Sequence, residues 1–536
     1  MAGQAFATRA RAAGPIGGVA GLAIFAVFAA VALFVLAPAR HGEFVSDDLP
    51  YLPYNPYVQA LSLENLQAIL DPAGEPAADH FNYAPVHMLA MALEWQLFGD
   101  DVGGYHFAQA LLHTAVASLV AALLAARGLP TAAAVLAGAF FLVHPANVEP
   151  SAWISQTKTT GALALALGAL LLHPKRPAWA LGLFALALLT KASAAFALPM
   201  AAVFTFLDRD PRGPWRARAP WLVAWLLLLA PYSWAELRVL GRAQAGHGPL
   251  HPDPWVAARS AVAIAGRYLA MAATGWGVAP SHEPPPALSP LDPWWLTGLT
   301  GLVAISLRAA FTLRARREES AWWIGAAAGY LPVAQLGMTF LTPMADRYLY
   351  FTLPGLIGGV AFAARDTWRR HAPSTAASSR AATACAALAL TAIGGLAWRS
   401  HAQAGAWRSA ATLALASAAR YPEGLPAQLL AAQRAALRND APATVAALRA
   451  AVARGYDRYD ALEQAPIYDG VRADPAFQQL QREMAASWVA LSRTLAHPSR
   501  ADLLARADAC RVLGDDECVH ASRDQAARMG GPNETR

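Results

Sequence analysis

Lysine is almost missing from this chain: only Lys158, Lys175 and Lys191 occur among 42 basic residues, and all the others are arginine. Lysine is therefore not the filler cation here, and each position it holds carries information. Charge of either sign is scarce as well, at 15% of residues against 56% hydrophobic. That balance, with long apolar runs continuing to about residue 398, excludes a soluble globular chain and implies a polytopic membrane protein in a lipid bilayer. The net charge of +6 is explained by arginine in cytoplasmic loops, so nucleic acid is excluded as a partner. Cysteine is limited to three residues. Cys385 falls in the last apolar run, whereas Cys510 and Cys518 flank a turn at Gly514-Asp515-Asp516, where a disulfide suits an oxidising periplasm. Two unpaired thiols in a small helical core are the alternative. HxxxH and HExxH pairs are absent too, so His80, His87, His106 and His113 read as hydrogen-bonding groups rather than zinc ligands. No metal or other cofactor is expected, with Mg²⁺ or Mn²⁺ on an Asp-Asp pair as the lesser alternative, because a hard cation wants further oxygen ligands.

The first apolar run, 15–37, is long enough for a bilayer core that needs about 20 helical residues. It exceeds a signal-peptide core and reads as an uncleaved anchor with the amino terminus cytoplasmic. Arginines crowd into Arg209, Arg212, Arg216 and Arg218, then Arg314, Arg316 and Arg317, then Arg365, Arg369, Arg370 and Arg380, with Lys175 and Arg176 earlier. Those loops should be cytoplasmic. The stretch 38–103 holds one basic residue, Arg40, against ten acidic ones and should face out.

Satisfying all these assignments gives about eleven transmembrane helices, near 15–37, 104–126, 130–146, 158–173, 178–190, 192–207, 220–237, 292–310, 321–341, 348–364 and 381–398. The segments 84–98 and 256–277 then lie on the outer face as juxtamembrane helices. The apolar stretch 178–207 is interrupted at Lys191, which predicts two short helices whose junction is buried in protein or lines a wet cavity. The fold class is all-α, with a membrane domain over 1–398 and a soluble periplasmic helical domain over 399–536. Leu425–Leu437 and Ala441–Ala453 read as an antiparallel pair of tetratricopeptide (TPR) size, and a second pair is expected within 500–530.

The residues that can carry chemistry fall on the same expected face. Asp47 and Asp48 follow the first helix, and one of them can serve as a base. Lys158 and Lys191 stand at the outer ends of apolar segments, where a charge is costly and usually faces a cavity or a partner; snorkelling to the interface is the alternative. His144, Asn147, Glu149 and Ser155–Thr157 lie near Lys158, and Asp346, Arg347 and Tyr348 lie between two later helices. Cations that stabilise phosphate charge, with a carboxylate that takes a proton from a hydroxyl, make a group-transfer site. Trp294, Trp295, Trp322 and Trp323 read as interfacial belts.

In order, Phe44-Val-Ser-Asp-Asp48, Asn82-Tyr-Ala-Pro85, Leu97-Phe-Gly-Asp-Asp-Val-Gly-Gly-Tyr-His106, His144-Pro-Ala-Asn-Val-Glu-Pro-Ser-Ala-Trp-Ile-Ser155, Leu189-Thr-Lys-Ala-Ser193 and Met344-Ala-Asp-Arg-Tyr-Leu-Tyr350 resemble the GT-C glycosyltransferases. The resemblance is strongest to bacterial relatives of the tetratricopeptide-containing transmembrane O-mannosyltransferases. It implies an inverting enzyme of a bacterial inner membrane that takes a sugar from a polyprenyl-phosphate-linked donor to a hydroxyl of a periplasmic protein or glycan. It further implies that Asp47 or Asp48 is the base and that Lys158, Lys191 and Arg347 bind the donor phosphate, with Tyr83, His106, His144, Glu149, Asp346 and Tyr348 in support. The chain departs from the family pattern at Ala84, where relatives commonly carry Arg, and at Gln156-Thr157-Lys158-Thr159, where they carry an Arg-Lys-Asp or Arg-Ala-Asp cluster. A diverged, non-catalytic scaffold presenting a protein-binding helical-repeat tail is the alternative those departures support.

Overall fold

The computed structural model describes residues 17–80, 82–208, 215–243, 250–335, 342–371, 375–495, 498 and 500–528. Among them every regular element is helical. The helices of ten or more residues in the first compact unit, Met1–Thr412, are α1 (Gly18–Leu36), α2 (Pro85–Phe98), α3 (Val102–Ala126), α4 (Thr131–Leu142), α5 (Thr157–Leu172), α6 (Pro177–Thr190), α7 (Ala197–Leu207), α8 (Trp215–Ala243), α9 (Pro254–Thr274), α10 (Pro293–Arg314), α11 (Glu319–Tyr330), α12 (Leu353–His371) and α13 (Thr375–Ala404).

Among the described residues five helices are long and apolar enough to cross a membrane, namely α1, α3, α8, α10 and α13, and α4 with the segment Pro145–Ala152 makes a sixth if that pair, bent by 58°, counts as one span. The other helices at expected crossings are short: α5 has 16 residues, α6 has 14, and α7 has 11. An 11-residue helix rises only about 16 Å at 1.5 Å per residue. The end of the expected 321–341 helix, the first residues of the expected 15–37 helix, and Arg209 and Arg212 lie outside the described residues. The apolar faces of α10 and α13 are left bare by protein, with Val303, Leu307, Phe311, Leu388 and Leu390 all exposed, as lipid contact requires.

The interior is built on α3, which packs against α1, α4 and α5, while α9 lies along α10 and α11 along α12. The α9–α10 approach is set by glycine. A Cβ on Gly266 would run into the Trp294 carbonyl, and one on Gly298 into the Val262 carbonyl, so only glycine lets these backbones meet.

One end of the bundle is tied by charge. Arg127 just after α3 pairs with Asp208 after α7 at 3.0 Å and with Glu318 before α11 at 2.7 Å, and Arg218 reaches Asp208 at 2.8 Å. Arg365 of α12 donates to the Gly128 carbonyl at the same end. Three of the arginine-bearing loops that the charge pattern grouped on one side therefore do converge.

The second unit, Leu413–Arg536, contains α15 (Leu425–Ala436), α16 (Ala441–Val452), α17 (Pro475–Arg493), α18 (Arg500–Leu513) and α19 (Asp516–Arg528), after α14 (Ala410–Arg420), which crosses the boundary. Leu448, Leu462, Phe477 and Leu480 form its core. Asp440 and Asp474 cap α16 and α17 by accepting from backbone N–H groups, the role short acidic side chains fill at helix starts. Cys510 and Cys518 are joined, with Cα atoms 5.8 Å apart, across the α18–α19 turn.

Candidate active site

The segment after α1 is held from three directions. The Glu43 N–H donates to the Arg408 carbonyl at 3.0 Å, and the Glu43 carboxylate accepts from the Ala410 N–H at 2.9 Å. Trp153 Nε1 donates to the Val45 carbonyl at 3.2 Å. Asp48, 1% exposed, accepts from the Ser155 N–H at 2.7 Å and from the Val45 N–H at 3.1 Å. Both of its oxygens are spent on backbone. Burial pushes the Asp48 carboxyl up to about 7, although those two N–H groups pull it back. Ser46 takes a positive φ of 52°, a conformation that non-glycine residues rarely adopt, and it turns the chain so that Asp47, the next residue, is exposed while Asp48 points inward.

Asp47 lines a cavity of about 560 Å³ whose wall also includes Lys158, Lys191, Glu236 and Arg347. Five stretches distant in sequence thus supply one site. Lys158 starts α5, whose position is set by Gln109 of α3: its Oε1 accepts from Thr157 at 3.2 Å and Thr160 at 3.0 Å, and its Nε2 donates to the Pro150 carbonyl at 2.8 Å. Lys158 Nζ donates to the Tyr51 hydroxyl at 3.0 Å and lies 4.6 Å from the centre of the Tyr51 ring. His80 stacks on the other part of this arrangement, 4.0 Å from Tyr51. Burial, with the Lys158 charge added, takes His80 down to about 4, so it is neutral and its Nε2 accepts from Asn55 at 3.1 Å.

Lys191 occupies the expected break. It is extended between α6 and the 3₁₀ turn Ala192–Phe196 that precedes α7, and its Nζ donates to Thr159 Oγ1 at 2.7 Å. Each lysine thus meets a neutral oxygen, and neither forms an ion pair among the described residues. Arg347 is different. Its guanidinium pairs with Glu149, which is 1% exposed, and its own backbone N–H donates to the same carboxylate at 2.9 Å. Burial opposes the Arg347 charge, yet the Glu149 charge overrides it and holds the guanidinium firmly protonated.

Tyr83 and Tyr348 also line the cavity. Their hydroxyls donate to the carbonyls of Leu70 and Thr342, respectively. The remaining expected residues are not on its wall. Asp48 is turned away, as described. His106 is buried in α3, with neither ring nitrogen bonded among the described residues. His144 serves the backbone: Nδ1 accepts from Ala146 at 3.3 Å and Nε2 donates to the Ala272 carbonyl at 3.2 Å. Asp346 is fully buried against His282 Nε2 at 2.7 Å and the Ala279 N–H at 3.1 Å. Burial pushes its carboxyl upward and His282 draws it back. Glu149 acts from behind, through Arg347. His113, the other half of the histidine pair on α3, is satisfied by the Tyr350 hydroxyl at 2.8 Å and the Leu142 carbonyl at 2.9 Å. His87 is buried beside Tyr51. Among the described residues no cluster of three His, Cys, Asp or Glu side chains has a metal-binding arrangement.

Glu236 was missed from sequence. It is the sole acidic residue of the apolar segment Arg216–Val239, and a carboxylate in such a segment is itself a functional signal. Tyr51 was missed because its role, holding Lys158, has no motif.

No protein-family model, no curated protein and no solved structure matches the chain.

Proposed function

We propose that the first unit is a membrane glycosyltransferase of the GT-C type, which moves one sugar from a polyprenyl phosphate to a hydroxyl of a periplasmic protein or glycan. The observation that carries this is the meeting of an exposed carboxylate, Asp47, with Lys158, Lys191 and Arg347 in one cavity. Two of those cations, Lys158 and Lys191, form no ion pair among the described residues, and Lys158 lies in the first turn of α5, the helix end that favours an anion. A phosphate oxygen is the partner they lack.

Asp47 accepts the proton of the acceptor hydroxyl as its oxygen bonds to the anomeric carbon. The anomeric C–O bond breaks on the opposite side, and its electron pair leaves with polyprenyl phosphate. Lys158, Lys191 and Arg347 stabilise the charge that grows on the phosphate. One displacement inverts the anomeric centre.

In this reading the chain crosses the bilayer about eleven times, the short helices α5, α6 and α7 included. The arginine-rich end is cytoplasmic, while the cavity and the second unit are periplasmic. The second unit, TPR-like in its helix pairs, recruits the acceptor.

The test is mass spectrometry of periplasmic proteins and glycans from cells carrying the wild-type chain or Asp47→Asn at equal membrane abundance. A hexose or pentose mass present in the first and lost in the second is the expected result. Undiminished modification with Asp47→Asn would overturn the assignment.

A further inference from the structure

The mechanism above leaves one ionisable group of the cavity unused. Glu236 sits near the carboxyl end of α8, inside a segment apolar enough to cross a membrane, where a carboxylate is expensive to keep. One oxygen accepts from the Tyr83 N–H at 2.7 Å. A single backbone amide needs no charge, since a glutamine would serve it. A carboxylate offers about four acceptor sites, more than one amide uses, and Glu236 lines the cavity. Glu236 forms no ion pair with Lys158 or Lys191 among the described residues, although all three share that wall.

The occupant this arrangement fits carries an anion for the lysines and hydrogen-bond donors for Glu236. Hydroxyls suit it better than an ammonium, because the wall already holds three basic side chains, Lys158, Lys191 and Arg347, against two acidic ones, Asp47 and Glu236. Tyr232, one helical turn before Glu236, and Tyr83 present rings 6.5 Å apart on the same wall. Aromatic faces beside a carboxylate suit a ring with C–H faces and hydroxyl edges.

We infer that Glu236 is the specificity-determining residue of the cavity, accepting hydrogen bonds from neighbouring hydroxyls on the sugar ring of the donor while the lysines hold its phosphate. This rests on the phosphate-site reading above. Glu236 takes no part in the proton transfer. It decides which glycosyl units are bound productively, through the position of their hydroxyls.

The experiment measures binding to the purified full-length protein in detergent. Its probes are a short-chain polyprenyl phosphate and the same lipid phosphate bearing mannose, glucose, galactose or arabinose. In the wild type at least one glycosylated probe is expected to bind roughly 10- to 100-fold tighter than the bare phosphate, the increment of one or two charge-assisted hydrogen bonds. Glu236→Gln, which keeps an acceptor for the Tyr83 amide, should erase that increment to within about 3-fold and leave bare-phosphate affinity within about 2-fold. Survival of the increment in Glu236→Gln overturns the inference, as does a wild type that binds every glycosylated probe no better than the bare phosphate. A wild type that binds none of the probes overturns the phosphate site itself, and the inference with it.

Discussion

Asp47 and Asp48 are neighbours in sequence, yet replacing each with asparagine is expected to do opposite things. At pH 5 Asp48 holds its proton, because burial has moved its carboxyl to about 7. Its two oxygens take the Val45 and Ser155 N–H groups. In Asp48→Asn the side chain keeps one acceptor and turns an NH₂ toward the other amide, leaving a buried N–H without a partner at a cost of about 1–3 kcal/mol. At about 2 °C per kcal/mol for a large unit, Tm falls by roughly 2–6 °C.

The pH sign is also fixed. Between about pH 4 and 7 the folded state binds the Asp48 proton and the unfolded chain does not, so wild-type stability declines as pH rises through this window, by at most about 4 kcal/mol. An asparagine at this position does not titrate, so the gap between wild type and Asp48→Asn narrows toward pH 8. Among the described residues the Asp47 carboxylate has one hydrogen-bond partner, the Ser46 hydroxyl at 3.5 Å. Asp47→Asn should hold Tm within about 1 °C and lower sugar transfer by about 10²–10⁴-fold, the usual worth of a general base. Tryptophan-fluorescence melting in detergent, paired with the periplasmic glycan measurement, reads both effects. A stability gap that widens with pH, or transfer that survives Asp47→Asn and dies with a normally melting Asp48→Asn, would refute this division of labour.

Lys158→Met and Lys191→Met should each weaken bare polyprenyl-phosphate binding by roughly 10- to 100-fold, since each removes one charge-assisted contact; isothermal titration checks this, and unchanged affinity in both contradicts the phosphate assignment. Arg347→Met strands the buried Glu149 charge and should cost about 3–5 kcal/mol, seen as poor membrane yield. Adding Glu149→Gln is expected to restore yield without restoring transfer, and recovery of transfer would show that Arg347 serves the fold alone. Reducing the Cys510–Cys518 bond should loosen the second unit by about 2 kcal/mol on loop entropy, visible as faster proteolysis within 500–528 under reductant, while the Tm of the first unit stays put.

Helix positions were largely legible, because apolar runs and the bilayer share a length scale. The expected 104–126 helix is Val102–Ala126, and the interruption at Lys191 marks a true break. The expected 381–398 helix instead runs through polar Arg399, Ser400 and His401 to Ala404, since helix propensity does not end where hydropathy does. At the site, residue type identified Lys158, Lys191 and Arg347. It was blind to orientation: one positive φ at Ser46 decides which aspartate faces the cavity. His144 and Asp346 stand in motif-like clusters, yet they bond to backbone and to His282. Such clusters hold loops as well as ligands, and only the folded chain separates the two uses.

The tie between Glu43 and residues 408–410 sets an order of events during biogenesis. The Glu43 carboxylate closes on the Ala410 amide across 367 residues of chain. Once Asp47 has been made, about 360 further residues must follow, at some 5–20 per second, before its clamp exists. Until then the aspartate loop has only its anchors on Trp153 and Ser155, and the third is missing. A nascent or truncated chain that stops short of α13 therefore carries every residue lining the cavity and still lacks the Glu43 tie, so the Asp47 loop is held from all three directions only when the chain has been translated past residue 410.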